Sequence, residues 1–213
     1  MMIHAYPEMY VSKAQAVLGE AFDTAVNICK ISGEDFVKMF VVSTVSDAME
    51  KGEPLYLAGK SGIELVKDII RETRGRNVEI EPQNRYGRTS QYWIGWAVAY
   101  YQWRSGRKYS EIFKALSYAE LERMYFTLHE ADVSKFADAA EEKVKEFFPD
   151  TNLKRIRNIY GCTQSDLAKM SGVSLRSIQM YEQRKKDINK ASSETLYRIS
   201  KVLGCAMEDL IEK

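Results

Sequence analysis

The sequence is poor in the residues that build disulfide frameworks and metal sites. It contains only 3 cysteines and 2 histidines among 213 residues. Cys29, Cys162 and Cys205 are odd in number and far apart, which argues against a disulfide framework or a cysteine-rich zinc site. Neither His4 nor His129 has a second ligand at metal-binding spacing. We therefore expect no metal, no cofactor, and reduced thiols in a cytoplasmic protein.

Long apolar runs are absent as well. No stretch approaches the ~18 apolar residues that a membrane span needs, and the opening MMIHAYPEMY has no signal-peptide pattern. Hydrophobic residues make up 45% and charged residues 29% of the chain, values typical of globular proteins. The sequence thus predicts one or two cytoplasmic domains without a membrane segment.

No catalytic constellation of side chains is recognisable either. The tetrapeptide GKSG at 59–62 resembles a fragment of a phosphate-binding loop, but the upstream glycine spacing and the flanking strand are missing. It is more typical of a helix N-cap. We expect that the chain is not an enzyme and has no catalytic residues.

Apolar residues recur at helical spacing along most of the chain, which predicts an all-α protein. Ser12 with Gln15, and Ser61 with Glu64, have the spacing of capping boxes that begin helices. Another helix is expected to begin at Ser32 and to continue to Gly52. Residues 92–103 hold all three tryptophans and are apolar around most of a helical circumference, so this helix is expected at the core of the N-terminal domain.

The segment 75–89, GRNVEIEPQNRYGRT, is polar and lacks helical periodicity. Long irregular loops on a helical scaffold are common sites of partner recognition, and arginine and tyrosine often dominate such interfaces. We hypothesise that Arg85, Tyr86 and Arg88 contact a partner. A solvated loop whose aromatic residues dock on the core is the alternative interpretation.

The C-terminal stretch 163–183 has the features of two short helices joined by a tight turn. Thr163 is a suitable N-cap for the first helix, and Gly172 is suited to end it. Ser174 is a suitable N-cap for the second helix, whose inner face would carry Ile178 and Tyr181. Two short helices with a glycine in the turn are typical of a helix-turn-helix.

TQSDLAKMSGVSLRSIQMYEQ at 163–183 resembles the Cro/XRE family of DNA-binding domains, and the similarity continues through SSETLYRISKVLGCAMEDLIEK at 192–213. The resemblance covers less than a third of the chain and implies a five-helix domain. Its helices are expected near 154–160, 164–170, 175–182, 193–203 and 207–211. The family usually has Glu-x-Gly after the recognition helix, whereas this chain has Glu182-Gln183-Arg184.

The resemblance also implies which residues meet DNA. The outer face of the recognition helix enters the major groove, where Arg pairs with guanine, Gln with adenine, and apolar side chains with thymine methyls. The matching positions are Ser174, Leu175, Arg176, Ser177, Gln179 and Met180. Gln164 matches the family's phosphate-contacting residue. The residues expected to add neutralisation of the DNA backbone are Lys185, Lys186, Lys190, Arg155 and Arg157.

The charge is divided unevenly along the chain. Residues 152–213 contain 12 basic and 7 acidic residues, a net charge of +5, whereas residues 1–151 contain 19 basic and 23 acidic residues, a net charge of −4. A basic tail on a mildly acidic body suits a DNA-binding domain carried by a domain with another role. We predict a helical partner-binding domain at 1–148 and a helix-turn-helix domain at 152–213.

These features predict a sequence-specific transcription regulator that binds double-stranded operator DNA as a homodimer. The architecture is similar to that of antitoxins, which bind a protein toxin with one domain and repress their own promoter with the other. The alternative is a regulator whose N-terminal domain senses a small ligand or is an enzyme fused to the DNA reader.

Overall fold

The computed structural model describes residues 4–81, 89–148 and 150–212, and these residues form helices and connecting segments with no strand. The all-α prediction is confirmed. The chain divides into two compact units, Met1–Phe147 and Phe148–Lys213. We refer to them as the N-terminal unit and the C-terminal unit. None of the described helices is both long and apolar enough to span a membrane.

Short α-helices build the N-terminal unit. They are α1 (Val11–Asp23), α2 (Gly33–Val41), α3 (Thr44–Glu50), α4 (Gly62–Arg74), α5 (Ser90–Ser105), α6 (Tyr109–Ala115), α7 (Tyr118–Leu128) and α8 (Val133–Phe147). One π-helical turn, Thr24–Ile28, follows α1 directly, and another, Leu55–Gly59, precedes α4.

Helix α5 lies at the core of this unit, as its aromatic sequence predicts. Trp93 and Trp103 are buried, and the Trp103 indole Nε1 donates a hydrogen bond to the Tyr6 carbonyl at 2.9 Å. The helix packs closely along α1. A Cβ atom at Gly95 would lie 2.4 Å from the Leu18 carbonyl oxygen, so the two backbones approach closely because position 95 has no side chain.

A cluster of aromatic rings joins α1 to its neighbours. Phe22 on α1 meets Phe36 on α2 edge to face, with ring centroids 5.0 Å apart. Phe40 meets Tyr109 in a similar arrangement at 4.8 Å. Edge-to-face pairs are a favoured geometry because the positive ring edge faces the negative ring face. The rings therefore connect α1, α2 and α6 in one core.

The predicted helix starts at Ser32 and Ser61 are confirmed, whereas the start at Ser12 and the unbroken helix from Ser32 to Gly52 are wrong. Ser61 and Glu64 form the expected capping box. Ser12, by contrast, lies inside the first turn of α1, and Gln15 donates to the Trp96 carbonyl instead. The helix expected from Ser32 to Gly52 is two helices, because Ser43 ends α2 by donating to the Phe40 carbonyl and caps α3.

The described part of the C-terminal unit contains the five expected helices in the predicted order, the last of them as a 3₁₀ turn. They are α9 (Asn152–Tyr160), α10 (Gln164–Ser171), α11 (Leu175–Glu182), α12 (Ser193–Leu203) and a final 3₁₀ turn, Met207–Leu210. A further 3₁₀ turn, Ile188–Lys190, lies in the loop after α11. The unit has its own apolar core. The core residues are Leu153, Leu167, Ile178, Tyr181, Ile188, Leu196, Ile199, Leu203 and Leu210.

Candidate nucleic-acid interface

Local side-chain bonds fix the two central helices of the C-terminal unit. The Thr163 hydroxyl accepts a hydrogen bond from the Asp166 amide, and the Asp166 carboxylate accepts one from the Thr163 amide, which completes a capping box at the start of α10. Gly172 ends α10 with a left-handed φ of 65°. Ser174 then caps α11 by accepting from the Ser177 amide at 3.1 Å. The predicted boundaries and caps of the helix-turn-helix are confirmed.

Helix α11 has a buried inner face and an open outer face. Ile178 and Tyr181 are buried against the core of the C-terminal unit, as expected. Leu175 is 39% exposed, and Arg176 is exposed. Because its inner face is anchored, the helix can present its first turn to a groove without changing conformation.

The predicted contact residues on α11 differ in their surroundings. Gln179 and Met180 are half-buried beside the inner face. The Ser174 and Ser177 hydroxyls lie 2.9 Å apart and are part of the N-cap. The structure therefore gives the two serines a role in beginning α11, and the exposed positions among the six are Ser174, Leu175 and Arg176.

A buried carboxylate organises the start of α10. Glu182 is 8% exposed, and it accepts from the Arg157 Nε at 2.6 Å and from the Arg157 Nη2 at 3.0 Å. It also accepts from the Gln164 Nε2 at 2.7 Å. The Glu182 carboxylate raises the pKa of the Arg157 guanidinium, so the arginine stays charged. Glu182 thereby connects α9, α10 and α11.

This network corrects one prediction and refines another. Arg157 was expected to neutralise phosphate, but it is 9% exposed, and its guanidinium bonds Glu182 and the Cys162 carbonyl. It is part of the internal scaffold. Gln164 remains at the amino end of α10, and its side-chain amide is oriented by Glu182. Arg155 is exposed on α9.

Arg184 stands at the position where the family usually has glycine. Its φ is 54°, a left-handed conformation that a non-glycine residue adopts at some cost. The Arg184 Nη2 forms an ion pair with the Glu212 Oε2 at 2.9 Å, which attaches the loop to the C-terminal end of the unit. The sequence alone signals only that glycine is missing here.

The basic residues of the following loop are positioned differently from one another. Lys186 is exposed, and its Nζ lies 5.2 Å from the centre of the Tyr181 ring, a cation–π arrangement. Lys185 is half-buried. Lys190 is exposed and lies 3.8 Å from Asp187, too far for a strong ion pair. The loop thus adds exposed positive charge beside α11.

The remaining residues considered in the sequence analysis belong to the first 148 positions of the chain. Arg85, Tyr86 and Arg88 are outside the described residues. His4 stacks on Trp103 with ring centroids 4.0 Å apart, and the His129 Nδ1 lies 2.9 Å from the Tyr125 carbonyl oxygen. Across the described ranges, no cluster of three or more His, Cys, Asp or Glu side chains has the arrangement of a metal site.

Two anchored helices, a tight turn and an exposed outer face define a helix-turn-helix DNA-binding domain. Residues 153–210 match the family model described as helix-turn-helix, and this part of the chain is of the Cro/XRE type. The protein is accordingly a DNA-binding transcription regulator. No curated protein and no solved structure gives a significant match to the chain.

Proposed function

We propose that this regulator binds a two-fold symmetric operator as a homodimer and holds a protein partner with its N-terminal unit, as an antitoxin does. The observation that supports the DNA-binding part of this proposal is the exposed first turn of α11 beside a basic loop. The DNA-binding unit carries a net charge of +5 over 152–213. Such charge draws the protein to phosphate whatever the base sequence, and α11 then supplies base contacts.

Within the DNA half, each residue has a proposed task. Arg176 pairs with a guanine in the major groove, and Leu175 and Met180 contact thymine methyl groups. Gln164, held by Glu182, binds a phosphate at the amino end of α10. Lys185 and Lys186 neutralise backbone charge without reading sequence, and Ser174, Ser177 and Gln179 complete the contact face.

The homodimer follows from the size of the reading unit. One recognition helix meets only a half-site, so a pair of units related by two-fold symmetry reads two half-sites about one DNA turn apart. Native mass spectrometry of the full chain with a selected operator should give two chains per duplex. One chain per duplex at saturating protein would contradict the dimer.

The proposal of a protein partner is based on the surface of the N-terminal unit. Met9, Val42 and Phe126 are exposed by 76%, 74% and 76%, values that are high for large apolar side chains. The unit is also acidic where the C-terminal unit is basic, so the two suit different partners. We propose that Arg85, Tyr86 and Arg88 lie at or near the contact with a protein toxin, and that the unit acts by binding rather than by catalysis.

The test uses the products of the genes next to this one. The antitoxin proposal expects that one of them arrests growth when expressed alone and that co-expression of the full chain restores growth. Arg85→Glu with Arg88→Glu should abolish the rescue, while Arg123→Glu, an exposed change on α7, should not. If no neighbouring product is toxic, the antitoxin role is wrong and the DNA-binding role is unaffected.

A second function is favoured by one observation. The N-terminal unit contains a cavity with an apolar floor and a charged rim, as a sensor of a small ligand would. In that case the regulated genes would encode metabolic proteins, and DNA binding would change with the ligand concentration.

A further inference from the structure

A half-open cavity of about 220 Å³ lies at the carboxyl end of α4 in the N-terminal unit. Gly75 ends α4 with a left-handed φ of 64°, and the chain beyond it returns to form one wall of the cavity. The opposite wall is the end of the π-helical turn Thr24–Ile28 and the residues that follow it. The cavity therefore depends on two irregular segments, not on a gap between regular helices.

The floor of the cavity is apolar. Ile31, Ile70 and Ile80 are exposed by only 6%, 2% and 7%, and Ile28 and Val78 are half-buried at its sides. When an apolar group displaces water from such a surface, the free energy of the system falls, so binding is favoured. The floor favours a ligand with a hydrocarbon body.

The rim is charged and carries two arginines and two glutamates. Arg74 and Arg76 flank Gly75 and are both exposed, and within the described parts of the chain neither guanidinium has a carboxylate at ion-pair distance. The rim carboxylates are Glu79 and Glu81, and Glu79 is paired with Lys67 at 3.4 Å. Two exposed guanidinium groups with no described carboxylate at ion-pair distance, next to an apolar floor, favour a ligand whose polar end is anionic.

We propose that this cavity binds a small organic carboxylate with an apolar body of about five or six carbon atoms. One water-sized group occupies about 30 Å³, so a cavity of about 220 Å³ accommodates about seven such groups. The carboxylate lies at the rim and pairs with Arg74 and Arg76, while the hydrocarbon body lies on the isoleucine floor. The site does not depend on the protein partner proposed above.

The backbone beside the cavity is strained, which agrees with a ligand site. Lys30, between the lining residues Cys29 and Ile31, has a left-handed φ of 57°. Its neighbours are fixed by bonds from the Cys29 amide to the Thr24 carbonyl and from the Ile31 amide to the Ala25 carbonyl. Non-glycine residues in this conformation cluster at binding sites, where the surroundings hold them.

The first experiment titrates the full chain with four probes by calorimetry. Hexanoate has both the negative charge and the hydrocarbon body that the proposal requires. Hexanol has no charge, hexylamine has a positive charge, and acetate has almost no hydrocarbon body. Hexanoate should bind at least tenfold more tightly than each of the others. From butanoate to hexanoate, affinity should rise about fourfold for each added methylene. Equal affinity for hexanoate and hexanol, or no binding of hexanoate at millimolar concentration, would overturn the proposal.

The second experiment places the site. Arg74→Gln and Arg76→Gln should each weaken hexanoate binding at least tenfold without changing the weak binding of hexanol, whereas the exposed control Arg123→Gln should have no effect. Full-affinity binding of hexanoate to both cavity variants would show that the site is elsewhere and would refute the assignment.

The thiol of Cys29 supplies an independent readout in the wall of the cavity. Burial raises the pKa of this thiol, so alkylation by iodoacetamide is followed at alkaline pH in a Cys162→Ser, Cys205→Ser background. Saturating hexanoate should slow alkylation of Cys29 at least fivefold, and acetate should not. Unchanged alkylation under saturating hexanoate would contradict a ligand seated against this wall.

Discussion

Arg157 and Glu182 form a buried two-point ion pair that joins α9 to the last residue of the recognition helix. The Nε–Oε1 distance is 2.6 Å and the Nη2–Oε2 distance is 3.0 Å. The same carboxylate orients the Gln164 amide at the start of α10. One acidic side chain thus connects the scaffold of the C-terminal unit to a proposed phosphate contact.

Glu182→Gln should destabilise the C-terminal unit by about 3–5 kcal/mol, because it leaves the Arg157 charge buried without its partner. Urea unfolding of the full chain measures the loss. Glu194→Gln is the matched control, since it breaks an exposed Glu194–Arg198 pair on α12 and should cost less than about 1 kcal/mol. Equal losses in the two variants would show that burial of the first pair carries no energetic weight.

Gly95→Ala should destabilise the N-terminal unit by more than about 3 kcal/mol, since the new methyl group overlaps the Leu18 backbone and α1 and α5 must separate. Gly75→Ala is the comparison. A Cβ at Gly75 meets no atom within 4 Å, so only its left-handed φ is penalised, by about 1 kcal/mol. The melting temperature of Gly95→Ala should therefore be well below that of Gly75→Ala. The reverse order would contradict the close approach of the α1 and α5 backbones.

Lys30→Gly should stabilise the N-terminal unit by about 0.5–1 kcal/mol, because glycine adopts a φ of 57° without the steric penalty of a Cβ atom. Lys51→Gly removes another exposed lysine whose φ is −76°, and it should be neutral or destabilising. Differential scanning calorimetry at one pH distinguishes the two. A lower melting temperature for Lys30→Gly would mean that the left-handed residue is not strained.

Arg176→Ala should cost about 1–3 kcal/mol of DNA affinity at one base pair and relax sequence preference there. Lys185→Ala should instead weaken binding to all sequences and reduce the salt dependence by about one phosphate contact. Both effects can be read from gel-shift titrations on a selected operator and its single-base variants at several salt concentrations. Unchanged preference in Arg176→Ala would place base recognition elsewhere on the unit.

Glu50 gives the fold a pH dependence. Its carboxylate accepts from the Tyr109 amide at 2.6 Å, and burial raises its pKa above the ordinary value. The folded state therefore holds the proton more tightly than the unfolded state, and this contribution to stability is lost as pH rises from about 4. Glu50→Gln keeps the acceptor without the charge, so it should stabilise the chain at pH 7. If Glu50→Gln stabilised the chain equally at pH 4 and at pH 7, ionisation of the Glu50 carboxyl would not be the reason for the stabilisation.

Much of the C-terminal unit could be predicted from the sequence, because its elements are set by short-range chemistry. The Thr163, Gly172 and Ser174 signals act over three or four residues, and the structure has them as expected. The same reasoning placed Ile178 and Tyr181 on the buried face, since periodicity fixes which side chains share a face of a helix. In the N-terminal unit, the aromatic helix α5 was recognisable for the same reason.

The tertiary structure decided what depends on residues far apart in the chain. The sequence predicts that Arg157 contacts phosphate, but in the structure Arg157 is bound by Glu182, which lies 25 residues later in the chain. Ser43 separates α2 from α3 although the apolar pattern runs through both, because its hydroxyl bonds the Phe40 carbonyl and caps the next helix. Local patterns determine where helices form and which face is apolar. Packing determines which polar groups are buried together, and it therefore decides which charges remain available to DNA.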